Sequence, residues 1–324
     1  MKRIGLEAQT IFAQIVESVW SDPVVYGSFS RKTVKGKTFL YQEYTVEGKQ
    51  VQTYLGEATD SLVARMEEWK EHNRALQRLA AMATQGGCLA VDRLTEAVAM
   101  RFAECGWFRA GGVLVGSHAF AVIGNVLGAA WSGEAIRTRD VDLATPKRIA
   151  IAARPDIGAV IAEMGYTPIP SLNRKIPPSS YALRGRQAKI DIVTPEIGKA
   201  SVGPTVFPSL GIAAQPLRFL DYLLEDSVET ALLGSTAVAV RVPHPARFAF
   251  HKLIVAERRH IGERTKGVKD IAQAEAIFGI LLEDRPGDIP LAWEAIVRRR
   301  WKKQAQPGLG RVNDAMRKAI VGLL

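Results

Sequence analysis

Asp140 and Asp142 stand one residue apart in the run Thr138-Arg-Asp-Val-Asp-Leu-Ala144, among apolar neighbours. Side chains two apart on a strand share a face, so both carboxylates point the same way. Like charges held side by side repel unless a metal ion or a cationic partner offsets them. A later segment, Ala188-Lys-Ile-Asp-Ile-Val-Thr194, carries Asp191 alone among β-branched apolar residues, where an unpartnered charge is costly. If the two strands are neighbours, three aspartates converge into a cage for one or two Mg2+ ions that substrate phosphates complete. Upstream, Val113-Leu-Val-Gly-Ser-His-Ala-Phe120 reads as a strand, a Gly-Ser turn and a helix. Gly116 permits close backbone approach, and the helix beginning near Ser117 aims free N–H groups and a partial positive charge at whatever sits there. A triphosphate suits that position, with the Ser117 hydroxyl adding a hydrogen bond.

Gly116, Ser117, Asp140, Asp142 and Asp191, in this order on strand, turn, helix and strands, resemble the pattern of the DNA polymerase β-type nucleotidyltransferase superfamily. Residues 131–137 (Trp-Ser-Gly-Glu-Ala-Ile-Arg) read as an inserted loop ahead of the carboxylate strand. A narrower likeness rests on Arg137-Thr-Arg-Asp-Val-Asp-Leu143, His251-Lys-Leu, Arg258-Arg259 and Lys269-Asp270, which resemble abortive-infection toxin-type and uncharacterised bacterial nucleotidyltransferases over roughly residues 88–285. Residues 26–56 are similar to the front segment of such uncharacterised members. The resemblance implies an α/β (α+β) fold, with a mixed-sheet core, a helical C-terminal domain and a small N-terminal β-meander. It implies that Mg2+ or Mn2+ is held by Asp140, Asp142 and Asp191, and that an NMP passes from an NTP to an acceptor hydroxyl with release of pyrophosphate. Asp191 doubles as candidate general base. Lys252 and Lys269 would face the triphosphate across the cleft, although lone helical lysines are ordinarily surface charges, and Asp270 caps a helix or pairs with Arg258 or Arg259 within the helical domain. Arg137 and Arg139 either steer the triphosphate or balance the aspartates. The acceptor classes are RNA (tRNA among them), protein or a small molecule, and a cognate antitoxin-like partner would follow from the toxin-type likeness.

Composition bounds these readings. A chain of 324 residues has room for two domains and a small extra module. Met1-Lys-Arg leads into an amphipathic stretch rather than a signal peptide, and no apolar run spans a membrane, so a cytoplasmic location is expected. Two cysteines, Cys88 and Cys105, are too few for a disulfide framework and read as buried thiols in a reducing compartment. The net charge is +10, and from Arg241 onward 17 Lys or Arg stand against 9 Asp or Glu. That imbalance either attracts a polyanion or keeps a solvated surface soluble.

The expected organisation is an N-terminal helix and meander over 1–58, a linking helix over 59–87 capped by Asp60 or Ser61, a catalytic domain over 88–243 and a basic helical domain over 244–324. Within the meander, Tyr26, Phe29, Phe39, Tyr41, Tyr44 and Tyr54 alternate with polar residues. They form the small sheet's own core or, with its lysines, a stacking surface for single-stranded nucleic acid. Helices are expected over 88–105 and 118–130, and from Pro155 to Met164. A hairpin turns at Gly185-Arg186-Gln187, and the proline-rich stretch 195–216 reads as irregular. Strands near 228–233 and 237–242 extend the sheet, and helices cover about 245–260, 267–283, 289–303 and 311–323. His118 lies just past the Gly-Ser turn, where it touches phosphate or serves structure. Arg298-Arg-Arg-Trp-Lys-Lys303 is the densest basic run, with Trp301 available for stacking.

Competing chemistries lack their residues. No His/Cys cluster has zinc spacing, no phosphate loop of the Gly-x-x-x-x-Gly-Lys type exists, and Val-Gly-Ser-His-Ala lacks the second glycine of a hydrolase elbow. The remaining rival is a non-catalytic nucleic-acid-binding protein on the same fold. A negative cluster in its cleft would work against binding a polyanion.

Overall fold

The computed structural model describes residues 2–21, 24–46, 49–131, 140–147, 156–170, 176–198, 203–259 and 261–324. A short strand β1 (Lys2–Arg3) leads into helix α1 (Leu6–Ser21), and an antiparallel meander follows: β2 (Ser28–Val34), β3 (Lys37–Val46) and β4 (Lys49–Glu57). Helix α2 (Asp60–Gln85) is capped by Thr59, whose hydroxyl accepts from the Leu62 amide, one position ahead of the expected cap. Helix α3 (Arg93–Glu104) begins later than its apolar spacing predicts. Asp92 caps it by accepting from the Leu94 and Thr95 amides. The residues before it are taken up elsewhere: the Val91 amide donates to the Leu233 carbonyl, and the Asn125 side chain brackets Leu89 through its amide and its carbonyl.

The chain continues through β5 (Val113–Val115), which enters α4 (Gly116–Val126), then β6 (Ala129–Ala130), β7 (Asp140–Ala144), α5 (Ile157–Glu163), β8 (Tyr166–Pro168), β9 (Ser180–Leu183), β10 (Lys189–Pro195), β11 (Thr205–Phe207) and β12 (Ile212–Leu217), and all of these strands but β6 belong to the main sheet. Its path runs β11-β12-β10-β7-β5, with β9 and β8 attached beside β10, while β6 instead pairs with β1. β10 is parallel to both β7 and β12, and β5 is antiparallel to β7, so the sheet is mixed. β9 covers the first half of one edge of β10 and β12 the second half.

Segment 195–216 is therefore not irregular. Its prolines interrupt the pattern, but Ile212, Ala213 and Ala214 are buried as a short apolar run within a covered sheet. Helix α6 (Leu220–Leu224) precedes the hairpin β13 (Ser227–Leu233) and β14 (Ala237–Pro243). That hairpin forms a separate two-stranded sheet instead of extending the main one. It closes over α1, α3 and α4, and the buried Glu96 carboxylate accepts from the Ser235 hydroxyl and the Thr236 amide at its turn.

The remainder is helical: α7 (Pro245–Ala256), α8 (Arg264–Asp284), α9 (Asp288–Arg298), α10 (Lys302–Leu309) and α11 (Asp314–Val321). The expected helix over 289–303 breaks at Arg299–Trp301, where Arg300 takes a left-handed φ of 60°. Trp301 is half-buried and already has ring partners. Its ring meets Phe219 edge-on at 4.7 Å, and Arg299 is held by Asp221 and Glu225. One large core joins the sheet to α3, α4 and α7 to α9. Cys88 is buried and Cys105 half-buried, and both are free thiols. Among the described residues, no helix is long and apolar enough to cross a membrane.

Candidate active site

β7 lies between β5 and β10, and this register sets the geometry of the site. Asp142 is the partner of Val115 on one side and of Asp191 on the other, while Asp140 partners Lys189. Partners across a ladder share a face, so Asp140, Asp142 and Asp191 project from the same side of the sheet. The intervening Val141, Leu143, Ile190 and Ile192 are buried on the opposite side. The alternation of acidic and apolar residues thus sorts the charges to one face.

Val115 leads straight into Gly116, whose φ of 69° few side chains other than hydrogen tolerate. A Cβ there would stand 2.1 Å from Oδ2 of Asp142, so the carboxylate fills the space that glycine leaves. The turn and the acidic strand are fitted to one another. Val115 supplies no side-chain cap, which leaves the first amides of the eleven-residue α4 beside Asp142. Ser117, the next residue, is half-buried at that helix start.

Asp142 titrates far from an ordinary carboxylate. Burial pushes it up to about 7, and the charges of Asp191 and Asp140 add to the rise. Lys252 and Arg259 pull it the other way. Those two cations come from the helical region and are gathered by one buried carboxylate. Lys252 Nζ donates to Asp270 Oδ1 at 2.8 Å, and Arg259 donates to Asp270 Oδ2 at 3.1 Å. Asp270 is 3% exposed, and the Lys252 side chain is largely covered, its Nζ lying 5.1 Å from the centre of the Phe248 ring. Lys252 is therefore not the free surface lysine that isolated helical lysines ordinarily are. Lys269 is half-buried and close enough to His118 at the start of α4 to help depress its proton affinity. Helices α7 and α8 accordingly stand across from the Gly-Ser turn and the acidic strand.

His118 itself is buried, with Nε2 3.3 Å from the Thr95 hydroxyl, which in turn donates to Asp92. Burial pushes its pKa down to about 4, which favours the neutral ring held at Thr95. Desolvation, with Lys252 beside it, likewise drives His251 down to about 3.

Of the residues expected from sequence, Asp140, Asp142 and Asp191 share a sheet face, Gly116 packs against Asp142 with Ser117 next to it, and Lys252 and Lys269 act electrostatically on Asp142 and His118 respectively, while Arg137 and Arg139 lie outside the described residues. Trp131, read as the start of an inserted loop, belongs to the core: it stacks on Phe120 at 4.9 Å and donates to the Phe120 carbonyl. The pairing of Asp270 with Arg259 was among the sequence expectations, but its hold on Lys252 was not legible, because that partner lies 18 residues away on another helix.

The donor set fits a hard cation. All three carboxylates present oxygen, they share a face, and Asp142 is destabilised as an anion by its neighbours. Among the described residues, however, no three acidic, His or Cys side chains are gathered closely enough to form a ready metal cluster.

The model of a nucleotidyltransferase family matches residues 93–298, from α3 through α9. No curated protein and no solved structure matches the chain significantly.

Proposed function

The chain belongs to that nucleotidyltransferase family and is a transferase of nucleotidyl groups, and from this premise we propose that Asp140, Asp142 and Asp191 form its catalytic centre. The observation that carries the reading is Asp142, in register with Asp191 and packed against Gly116, within the field of Lys252 and Arg259. A buried anion crowded by two others is a site prepared for positive charge.

Asp140, Asp142 and Asp191 would hold Mg2+ or Mn2+. When bound, the ion neutralises the phosphate oxygens and polarises the α-phosphorus. The chain's own groups do the remaining work. The amides at the start of α4 and the Ser117 hydroxyl receive the triphosphate, and Lys252 and Lys269 close on it from the opposite wall. Arg137 and Arg139, from the segment leading into β7, are further candidates for the developing charge. Asp191 accepts the proton of the acceptor hydroxyl, whose oxygen forms a bond to the α-phosphorus. The bond from that phosphorus to the α,β-bridging oxygen breaks, and pyrophosphate departs with the electron pair. Holding both reactants in line and offsetting charge supplies most of the acceleration.

The acceptor hydroxyl belongs in this reading to RNA, including tRNA, with protein and small molecules as the other classes to scan. The sequence likeness to toxin-type members adds a cognate antitoxin-like partner to the proposal. We also keep the division into a meander module, a linking helix, a catalytic domain to residue 243 and a basic helical domain.

Calorimetric titration of each NTP in Mg2+ tests the site. The wild type should bind at least one NTP in a divalent-dependent manner. Asp142→Asn, which keeps the shape and removes the charge, should lose the divalent dependence. Equal binding by both proteins, or binding indifferent to the ion, would remove the carboxylates from the reading.

A further inference from the structure

Three of the meander's aromatic residues, Phe39, Tyr41 and Tyr54, face away from the rest of the molecule, whereas Tyr26, Phe29 and Tyr44 pack inward. Residues i and i+2 share a face, so Phe39 and Tyr41 project together from β3, and Tyr54 of β4 is the cross-strand partner of Tyr41. Their rings form a contiguous surface: Tyr54 lies 5.6 Å from Tyr41 and 6.0 Å from Phe39, centre to centre. Tyr54 is 56% exposed, whereas Leu40, on the opposite face of the same strand, is fully buried. The buried face is anchored to the body of the protein. Phe29 stacks on Trp69 of α2 at 5.9 Å, and Gln42 donates to the Tyr26 carbonyl at 2.9 Å. The sheet is therefore a fixed plate with its aromatic side turned outward.

The charge around this plate is one-sided at its β2–β3 end. Residues 28–37 contain Lys32, Lys35 and Lys37 and no carboxylate, while Arg31 lies on the inward face beside Glu67 of α2. Lys32 Nζ stands 4.9 Å from the centre of the Tyr41 ring. Lys35, at the turn, is exposed in a left-handed conformation. Lys37 pairs with Glu57 at 3.2 Å, but both are more than half exposed, so the pair is weak and easily exchanged for a phosphate. Glu43, further along the face, is engaged by the side-chain amides of Gln50 and Gln52.

We propose that this outer face is a docking platform for single-stranded nucleic acid, its bases stacking on Phe39, Tyr41 and Tyr54 and its phosphates running along the Lys32–Lys37 end. Outward-facing rings, here the exposed Tyr54 beside the half-buried Phe39 and Tyr41, flanked by cations on a rigid sheet, meet the physical requirements for such binding, which is tolerant of sequence because every base has a π-face. A duplex conceals those faces and does not fit. As the source of the acceptor, the platform rests on the transfer reading above. As a binding surface, it is measured without nucleotide or divalent ion.

The experiment is fluorescence anisotropy of the full chain in EDTA with a labelled mixed-sequence 12-mer. The probe is supplied as single-stranded RNA, as single-stranded DNA and as duplex, so that the arms separate the two sources of the same chemistry. Single strands of at least one kind should bind more tightly than duplex. Tyr54→Ala should weaken that binding by about 5- to 100-fold. Lys35→Glu should weaken it and lower the slope of log affinity against log salt by about one or more. Asp142→Asn should bind like the wild type, which distinguishes failure of the platform from failure of the catalytic site. Both substituted positions are exposed, and thermal melting confirms that the variants remain folded. Equal affinity for duplex and single strands, or affinity unchanged in Tyr54→Ala and Lys35→Glu, would overturn the platform.

Discussion

At the scale of single residues, the most informative groups are those whose charge the fold works against. His118 is sealed between Thr95 and the start of α4, and its pKa falls from 6.5 to about 4. Folding lowers its proton affinity, so between those two values the unfolded chain binds more protons than the native one. Stability is complete above pH 6.5 and declines as the pH falls towards 4, by on the order of 3 kcal/mol from this residue. His251, driven down to about 3, acts in the same direction. Urea denaturation from pH 7 to pH 4.5 should show that decline, and His118→Gln should flatten it. A variant with the wild-type pH slope would contradict the assignment. Asp270 presents the opposite case, a buried anion satisfied by Lys252 and Arg259. Asp270→Asn leaves two cations without their shared partner and should cost about 3 kcal/mol in the same denaturation measurement. It should also weaken NTP binding, since Lys252 loses its anchor. Unchanged stability would mean that the pairing contributes little.

At the scale of elements, the fit between the β5–α4 turn and β7 is the feature most easily broken. Gly116→Ala requires a left-handed alanine and places a methyl where the Asp142 carboxylate lies. A loss of about 1–3 kcal/mol is expected from backbone conformation alone. Nucleotide binding should fall with it, because the helix start shifts relative to the acidic strand. A crystal structure or melting curve indistinguishable from the wild type would refute that fit. This part of the fold was legible because its signals are local: Asp-x-Asp alternation, a Gly-Ser turn, and a hairpin around residues 185–187 that joins β9 to β10 as expected. The strand β12 was hidden because Pro208 stands shortly before it, Pro216 lies within it, and two of its four buried residues are alanine, which carries little strand signal. The role of Trp301 was hidden for a different reason. Its partner Phe219 lies more than eighty residues away, and a Trp among arginines reads as surface until its packing is seen. The same holds for the meander, where alternation announced the aromatic face but not which side of the sheet the rest of the molecule would cover.

At the scale of the whole molecule, two regions distant in sequence supply the two walls of the proposed site. The acidic strands and the α4 start come from the sheet, and Lys252, Arg259 and Lys269 come from the helices that follow. The matched family region, residues 93–298, contains both walls. The meander lies outside that region yet is fastened to it through Tyr26 and Gln42. The net charge of +10 favours polyanions over the molecule as a whole, and in the proposed reading the three aspartates require such a substrate to arrive with its own cation. The most direct test of this account follows the α-phosphate itself. Each of the four NTPs, labelled at that position, is incubated with the full chain, Mg2+ and, in turn, tRNA, total RNA, protein and small hydroxyl acceptors. The account predicts label transfer from at least one NTP to one acceptor class, reduced at least about a hundredfold in folded Asp142→Asn. Transfer that persists undiminished in Asp142→Asn, or no transfer by the wild type from any NTP to any acceptor, would contradict it.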